Sequence, residues 1–361
     1  MTVPVARAAC LAALAAVLLV IPATSAAKTK RVDMGLPSAN VNEFQTKYGS
    51  DVNAFFPHSV TIRIGDKVAF RPVGFHTVDI PRKGGTILPL FTPSGQKVSG
   101  STGTDANGAP FWFNGLDQFG FNPQLLASLF GKTRTYKGKR IESGLPLAPN
   151  PKPLTVKFRK KGTYRYYCDV HPGMTGKVVV KGRHAMIPTA KQDKKRVRRQ
   201  VAAARKRAKT LAATKPPANT VYTGGSAKGG VEYFGMLPAT LTVPVNTTVR
   251  FMMSPKSFDA HTATFGPGNP ETQPSSYLGV IAASFESASL DPRGVYPSEQ
   301  PPTVANFGPT LHGNGFWNSG VMDNAAASQP AAYNDLKFTT PGTYDFYCMI
   351  HPFMHGQVIV Q

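Results

Sequence analysis

Cysteine is scarce in this chain: 361 residues contain three, Cys10, Cys168 and Cys348. Cys10 falls in an apolar N-terminal run, so the remainder holds two thiols 180 residues apart, which excludes a disulfide framework. Acidic residues are few as well, 19 against 41 lysines and arginines, leaving a net charge of +22. A hydrophobic fraction of 41% with a charged fraction of 17% excludes both a disordered tail and a multi-pass membrane protein. Glycine and proline, by contrast, are abundant at 34 and 32 residues. That composition disfavours a helical bundle and points to a turn-rich, all-β architecture. At roughly 100–200 residues per domain, the length suits two domains.

Arg7, the apolar residues 8–20 and the small residues 22–27, Pro-Ala-Thr-Ser-Ala-Ala, read as a cleaved export signal, with a retained anchor as the alternative. No lipobox precedes Cys10. Residues 1–27 are thus expected to direct the chain to the periplasm, cell envelope or exterior. An exported protein normally pairs thiols that meet, so Cys168 and Cys348 need another purpose.

An internal repeat supplies one. Residues 162–180, GTYRYYCDVHPGMTGKVVV, lie over 342–360, GTYDFYCMIHPFMHGQVIV, with 11 identities in 19 positions. Residues 60–70 likewise match 241–251, each with period-2 alternation, a turn and a second apolar pair, which predicts paired strands with one buried face. His76 and His261 follow. Domains are therefore expected at residues 28–183 and 220–361.

Each repeat combines an isolated histidine with a Cys-x-x-His-x-x-Met cluster 92 or 87 residues later. Two imidazoles, a thiolate and a weak axial thioether form the ligand set of a blue-copper electron-transfer site. Thiolate and thioether favour Cu(I), imidazole suits both oxidation states, and an intermediate geometry keeps reorganisation small. A strand ending at Tyr167 is expected to deliver Cys168, and the short loop after it to return His171 and Met174 to the same metal.

With these motifs both halves resemble cupredoxins, the plastocyanin and azurin family, and Cys348-Met-Ile-His-Pro-Phe-Met354 is similar to the short ligand loop of the amicyanin type. The resemblance implies an eight-stranded Greek-key sandwich in each half. It also implies two coppers per chain, one on His76, Cys168, His171 and Met174 and one on His261, Cys348, His351 and Met354. Electrons would enter through the more exposed His171 and His351. The middle of each half exceeds the compact family size, so residues 108–145 and 267–332 read as insertions.

Multicopper oxidases and copper nitrite reductases add His-x-His pairs or a histidine directly before the cysteine. Neither occurs here, since Tyr167 and Tyr347 precede the cysteines, so no catalytic copper and no enzyme activity is expected. His58, His184, His312 and His355 lack ligand spacing and are expected at the surface or in loops. Tyr166, Tyr167, Phe346 and Tyr347 are expected to pack.

Charge is uneven: +15 over residues 28–183, +10 over 184–219 and −4 over 220–361. The Ala, Lys and Arg-rich arm at residues 191–215, between Lys191 and Lys215, favours helix. It reads as a solvated, semi-rigid spacer of about 37 Å if straight, which would hold the coppers too far apart for efficient tunnelling, and alternatively as a dock for anionic lipid or wall polymer. Nucleic acid is not an expected partner, because an export signal is present and a base-stacking motif is not. The expected function is an exported carrier of single electrons between redox partners, acidic ones by charge. A copper-sequestering protein without a redox partner is the alternative. Asp169 and Gly173 predict a wetter first site, and Met349, Ile350 and Phe353 a drier second one with the higher potential.

Overall fold

The computed structural model describes residues 27–324 and 332–361. The export signal expected at residues 1–27 lies outside them, apart from its last residue. Among the described residues no helix is long and apolar enough to cross a membrane.

The chain is all-β, built as two sandwiches. In the first, one sheet orders Phe55–Phe56, Thr29–Met34, Lys67–Pro72, Leu154–Phe158 and Thr133–Tyr136. The facing sheet orders Ile141–Glu142, Asp79–Ile80, Gly162–Tyr167, Thr175–Lys181 and Ser59–Arg63. Alternation makes the core: Val60, Ile62, Val68, Phe70, Val178 and Val180 point inward between the sheets while their neighbours stay wetter, as a period of two requires.

The second sandwich repeats the plan. Thr240–Val243, His355–Val360, Gly342–Tyr347, Thr264–Phe265 and Trp317–Asn318 form one sheet. Ala305–Phe307, Tyr333–Phe338, Thr247–Met253, Thr220–Ala227 and Val231–Leu237 form the other.

The strands expected to pair at residues 60–70 do not pair with each other. Ser59–Arg63 runs parallel to Thr175–Lys181, whereas Lys67–Pro72 pairs with Thr29–Met34 and Leu154–Phe158 in the opposite sheet. At the turn between them Gly65, at φ +94°, takes a left-handed conformation open to glycine, and the chain changes layer. Thr240–Val243 and Thr247–Met253 are split between sheets in the same way. Alternation fixes which side chains are buried, not which strand lies alongside.

The sandwiches are interlocked. Ser50–Val52, from the first half, closes the edge of the second half's sheet by pairing with Val231–Leu237. The arm expected to be a solvated spacer is a helix, Ala190–Leu211, with a Thr189/Gln192 capping box. Val201, Ala204, Ala208 and Leu211 are buried in a cluster with Phe44 of the helix Ser38–Tyr48, Val52 and Val231. Burying a valine or leucine contributes about 1.5–3 kcal/mol, and with alanine at two of its four buried positions the stripe is thin enough to pass for a solvated face. Arg205 grips Glu43 with two 2.7 Å hydrogen bonds, and Lys30 reaches Asp193 at 2.6 Å. The arm folds back as mortar between the domains.

The two segments expected as insertions meet as well. Phe111 and Phe113 from residues 108–145 pack with Leu278, Ile281 and Phe316 from residues 267–332. Trp112 Nε1 donates to the Pro297 carbonyl at 2.9 Å, and Tyr296 Oη to that of Asp117 at 2.7 Å. His312, expected at the surface, belongs to this contact, half-buried with Nε2 2.9 Å from Glu299 and Nδ1 3.5 Å from Asp105. His58, His184 and His355 are exposed.

Candidate metal centres

In the first half, the strand Gly162–Tyr167 ends directly before Cys168, and its neighbour Asp79–Ile80 begins three residues after His76. Antiparallel pairing of Tyr167 with Asp79 therefore sets the two segments side by side. Past the thiol the chain closes tightly: Met174 N–H donates to the His171 carbonyl, and Cys168 N–H to that of Met174, both at 3.0 Å. Pro172 restricts this loop, and Gly173, at φ +115°, supplies a conformation costly for other residues. His76, Cys168, His171 and Met174 are all buried.

The donor atoms form a triangle. Cys168 Sγ lies 3.9 Å from His76 Nδ1 and 3.6 Å from His171 Nδ1, and the nitrogens are 3.0 Å apart. In the second half, Cys348 Sγ lies 3.7 Å from His261 Nδ1 and 3.8 Å from His351 Nδ1, with the nitrogens at 3.2 Å. In both triangles the point equidistant from all three donors lies about 2.1 Å from each, the length of a first-row metal bond to nitrogen and close to that for sulfur. Two nitrogens and a sulfur at these separations fit copper. Met354 is buried and closes its loop onto His351 and Cys348 just as Met174 does.

A threonine follows the first histidine in each half and does the same work. The Thr77 and Thr262 amides each donate to the cysteine sulfur at 3.4 Å. Their hydroxyls accept from the Asp169 and Met349 amides at 2.8 Å, pinning the residue after the thiol. The repeated His-Thr pair is the sequence signal for this support, which ligand spacing alone does not reveal. Without metal, burial pushes the Cys168 thiol up to about 12 and, with His171 alongside, holds His76 well below its ordinary range. In the second half burial alone would raise the Cys348 thiol, but hydrogen bonds with His261 and His351 hold it well below its ordinary value.

No family model matches the chain. Amicyanin from Paracoccus denitrificans is 46% identical over 48 residues, 12% of this chain and 36% of amicyanin, so the chain spans about a third of that relative's length. Among solved structures, an amicyanin variant in its reduced Cu(I) form is 20% identical, covering 42% of this chain and 90% of the other, with a TM-score of 0.22. A purple cupredoxin from Nitrosopumilus maritimus is 15% identical over 39% of this chain and 98% of its own, with a TM-score of 0.20. Oxidised plastocyanin from Dryopteris crassirhizoma is 22% identical over 39% and 99%, with a TM-score of 0.20. The chain is similar to cupredoxins.

The two donor triangles face each other. His171 Nε2 lies 4.0 Å from one oxygen of Asp259, and His351 Nε2 lies 4.0 Å from the other. A carboxylate spans little more than 2 Å between its oxygens, so the imidazole edges are at most about 10 Å apart. Asp259 comes from the second half and is buried, with Asn53 of the first half 3.5 Å from Oδ2. Glu232 fixes its loop by accepting from Ser257 Oγ and the Phe258 amide at 3.0 and 2.7 Å. Phe258 then packs against the first half's core and over Gly173, where a Cβ would come within 2.6 Å of its ring. Burial alone would raise the Asp259 carboxyl, but His351, His171 and His261 hold it down to about 2.

Three expectations change accordingly. A separating arm gives way to adjacent centres, because the helix packs between the domains. His171 is not an exposed port: 7% of it is accessible, since the second half covers it. Asp169 does not mark a wet site either, being 1% exposed, whereas Phe353, expected to exclude water at the second site, is 53% exposed. Asp169 is enclosed by residues of its own half, Thr77, Leu88 and Glu142.

Proposed function

We propose that this protein is an exported type 1 copper electron carrier holding two coppers per chain, which passes single electrons between them and on to external partners. His76, Cys168, His171 and Met174 hold one copper; His261, Cys348, His351 and Met354 hold the other. The observation that carries the reading is the pair of matching donor triangles facing each other across Asp259. Copper supplies the one-electron couple. The buried loops fix the donor positions in both oxidation states, Thr77 and Thr262 donate to the thiolates, and the facing imidazoles bring the π-systems of both centres to one short gap.

Since His171 is covered, exchange with outside partners is assigned to the half-buried His351 and its exposed neighbour Phe353. Asp169 stands beside the first thiolate and neutral Met349 beside the second. The two thiolates therefore sit in different surroundings, and the two centres are expected to differ in potential. Neither centre has ligands for a substrate-activating copper, so no catalytic role is assigned. The exposed cations on the outer helix face, among them Lys191, Lys194, Lys195 and Arg198, suit acidic proteins or anionic surfaces.

Copper analysis with visible absorption tests the reading. The expected result is two coppers per chain and an intense thiolate-to-Cu(II) band that halves in Cys168→Ser and in Cys348→Ser. One copper, or no intense band, overturns it. Slow electron exchange with very tight Cu(I) retention would instead favour copper sequestration.

A further inference from the structure

Beside the first centre, on the sheet Asp79–Ile80 shares with Ile141–Glu142, three carboxylates converge. One oxygen each of Asp79, Glu142 and Asp169 lies within 4.8 Å of the others. Each carboxylate is anchored through one atom. Asp79 Oδ2 accepts from Arg140 at 2.6 Å, Glu142 Oε1 from the Gly144 amide at 3.0 Å, and Asp169 Oδ1 from the Leu88 amide at 2.8 Å. Their other oxygens, Asp79 Oδ1, Glu142 Oε2 and Asp169 Oδ2, are buried and face no donor group, and Glu142 and Asp169 are close enough to hydrogen-bond when one of them carries a proton. Asp79 is 0% and Asp169 1% exposed. A buried, unpaired carboxylate oxygen is costly, and three side by side call for a shared positive partner.

The fold does not require this arrangement, as the second repeat shows. There the strand Thr264–Phe265 pairs with Tyr347 as Asp79 pairs with Tyr167, and Thr264 faces Asn318 as Asp79 faces Glu142. The residue after the thiol is Met349 rather than Asp169. Thr264 donates to Asn318 Oδ1 at 2.8 Å, and the neutral version closes on itself. In the first repeat like charges stand directly opposite across a strand pair, a destabilising placement that Arg140 offsets by a single charge. Burial and the neighbouring Asp169 raise Asp79 to about 7 and Glu142 well above its ordinary value.

We propose that Asp79, Glu142 and Asp169 form a Ca²⁺ site, separate from the copper ligands and independent of whether copper is bound. Three hard oxygen donors select a hard cation over a soft one. Three carboxylates and Arg140 leave a net charge of −2, which a divalent ion balances. Ca²⁺, with bonds of roughly 2.3–2.6 Å and a flexible geometry, tolerates a site of three side-chain oxygens completed by water, whereas Mg²⁺ demands a near-ideal octahedron. Half-buried Glu142 marks the side of entry, where water can complete the coordination.

The test is calorimetric titration of the chelator-treated, copper-loaded full chain with CaCl₂, alongside melting temperature as a function of CaCl₂. One Ca²⁺ per chain and a concentration-dependent rise in Tm are expected. Glu142→Gln and Asp79→Asn should each weaken binding at least tenfold while both visible copper bands remain. If either variant misfolds, the other carries the comparison. No saturable binding, or binding that both variants leave unchanged, overturns the proposal. Tighter binding of MgCl₂ overturns the assignment to calcium, and a protonated carboxyl infrared band indifferent to CaCl₂ shows that a shared proton fills the cluster instead.

Discussion

Replacing Asp259 by asparagine probes the facing centres with one atom's change. Each carboxylate oxygen lies 4.0 Å from Nε2 of one histidine. Crossing the imidazole and adding a metal–nitrogen bond of about 2 Å puts the charge roughly 8 Å from each copper position. At an effective dielectric constant of about 20, a unit charge at that distance contributes about 2 kcal/mol, or about 90 mV for a one-electron couple. The carboxyl is held down to about 2 and is ionised at neutral pH, where it favours Cu(II). Asp259→Asn should therefore raise both potentials by about 90 mV. The introduced amide oxygen can still accept from the Ala260 N–H, which donates to Asp259 Oδ1 at 2.9 Å. Spectroelectrochemical titration in Cys168→Ser and Cys348→Ser backgrounds reads each centre separately, with the exposed Glu271→Gln as a control that shifts neither. A rise confined to the second centre would show that His171 does not meet Asp259 in solution. No rise at either would refute the electrostatic argument itself.

Leu211→Ala should cost about 2–5 kcal/mol, since that side chain is 5% exposed in the interdomain cluster; denaturant melts should show both halves losing stability together, and an unchanged midpoint would return the helix to the role of spacer. Gly173→Ala combines a left-handed φ with a Cβ 2.6 Å from the Phe258 ring, so it should destabilise the docked state by about 1–3 kcal/mol, whereas Gly65→Ala, with no atom within 4 Å, should cost only backbone strain. With calcium withheld, Asp79→Asn should stabilise the protein at pH 8 by up to about 4 kcal/mol and change little at pH 3. The sign follows from a folded-state value raised to about 7: the stability this carboxyl contributes is complete below its unfolded value near 4 and lost as pH rises through 7. Binding to anionic vesicles should fall steeply with salt, and Lys194→Ser, Lys195→Ser and Arg198→Ser together should weaken it without disturbing the melt; salt-independent binding would refute the electrostatic surface.

The proposed ligands stand out in the sequence because the chemistry of such a site restricts residue type so strongly. Cys168, His171 and Met174 lie within seven residues, and the same order at Cys348, His351 and Met354 removes coincidence. His76 and His261 were identifiable because each follows a matching strand pattern. The buried faces at Val60, Ile62 and Val68 were equally readable, since period-two alternation survives in any sheet. Strand partners were not, because Ser59–Arg63 carries the same alternation whichever strand lies beside it.

The relation between the halves came from long-range packing. Asn53 and Asp259 are 206 residues apart, and nothing local to either marks it as half of a contact. The helix Ala190–Leu211 reads as solvated because much of its buried stripe is alanine, whose small side chain lets helices approach closely without leaving a strong hydrophobic pattern. Asp79, Glu142 and Asp169 are individually ordinary acids, spread over 91 positions; sheet pairing alone brings them to one point. Two donor sets and two sandwich patterns can be read along the chain, because bond chemistry and side-chain alternation are local. Whether the centres stand apart or face each other depends on long-range packing, and that packing turned a spacer into a wedge and covered the histidine expected to meet the outside.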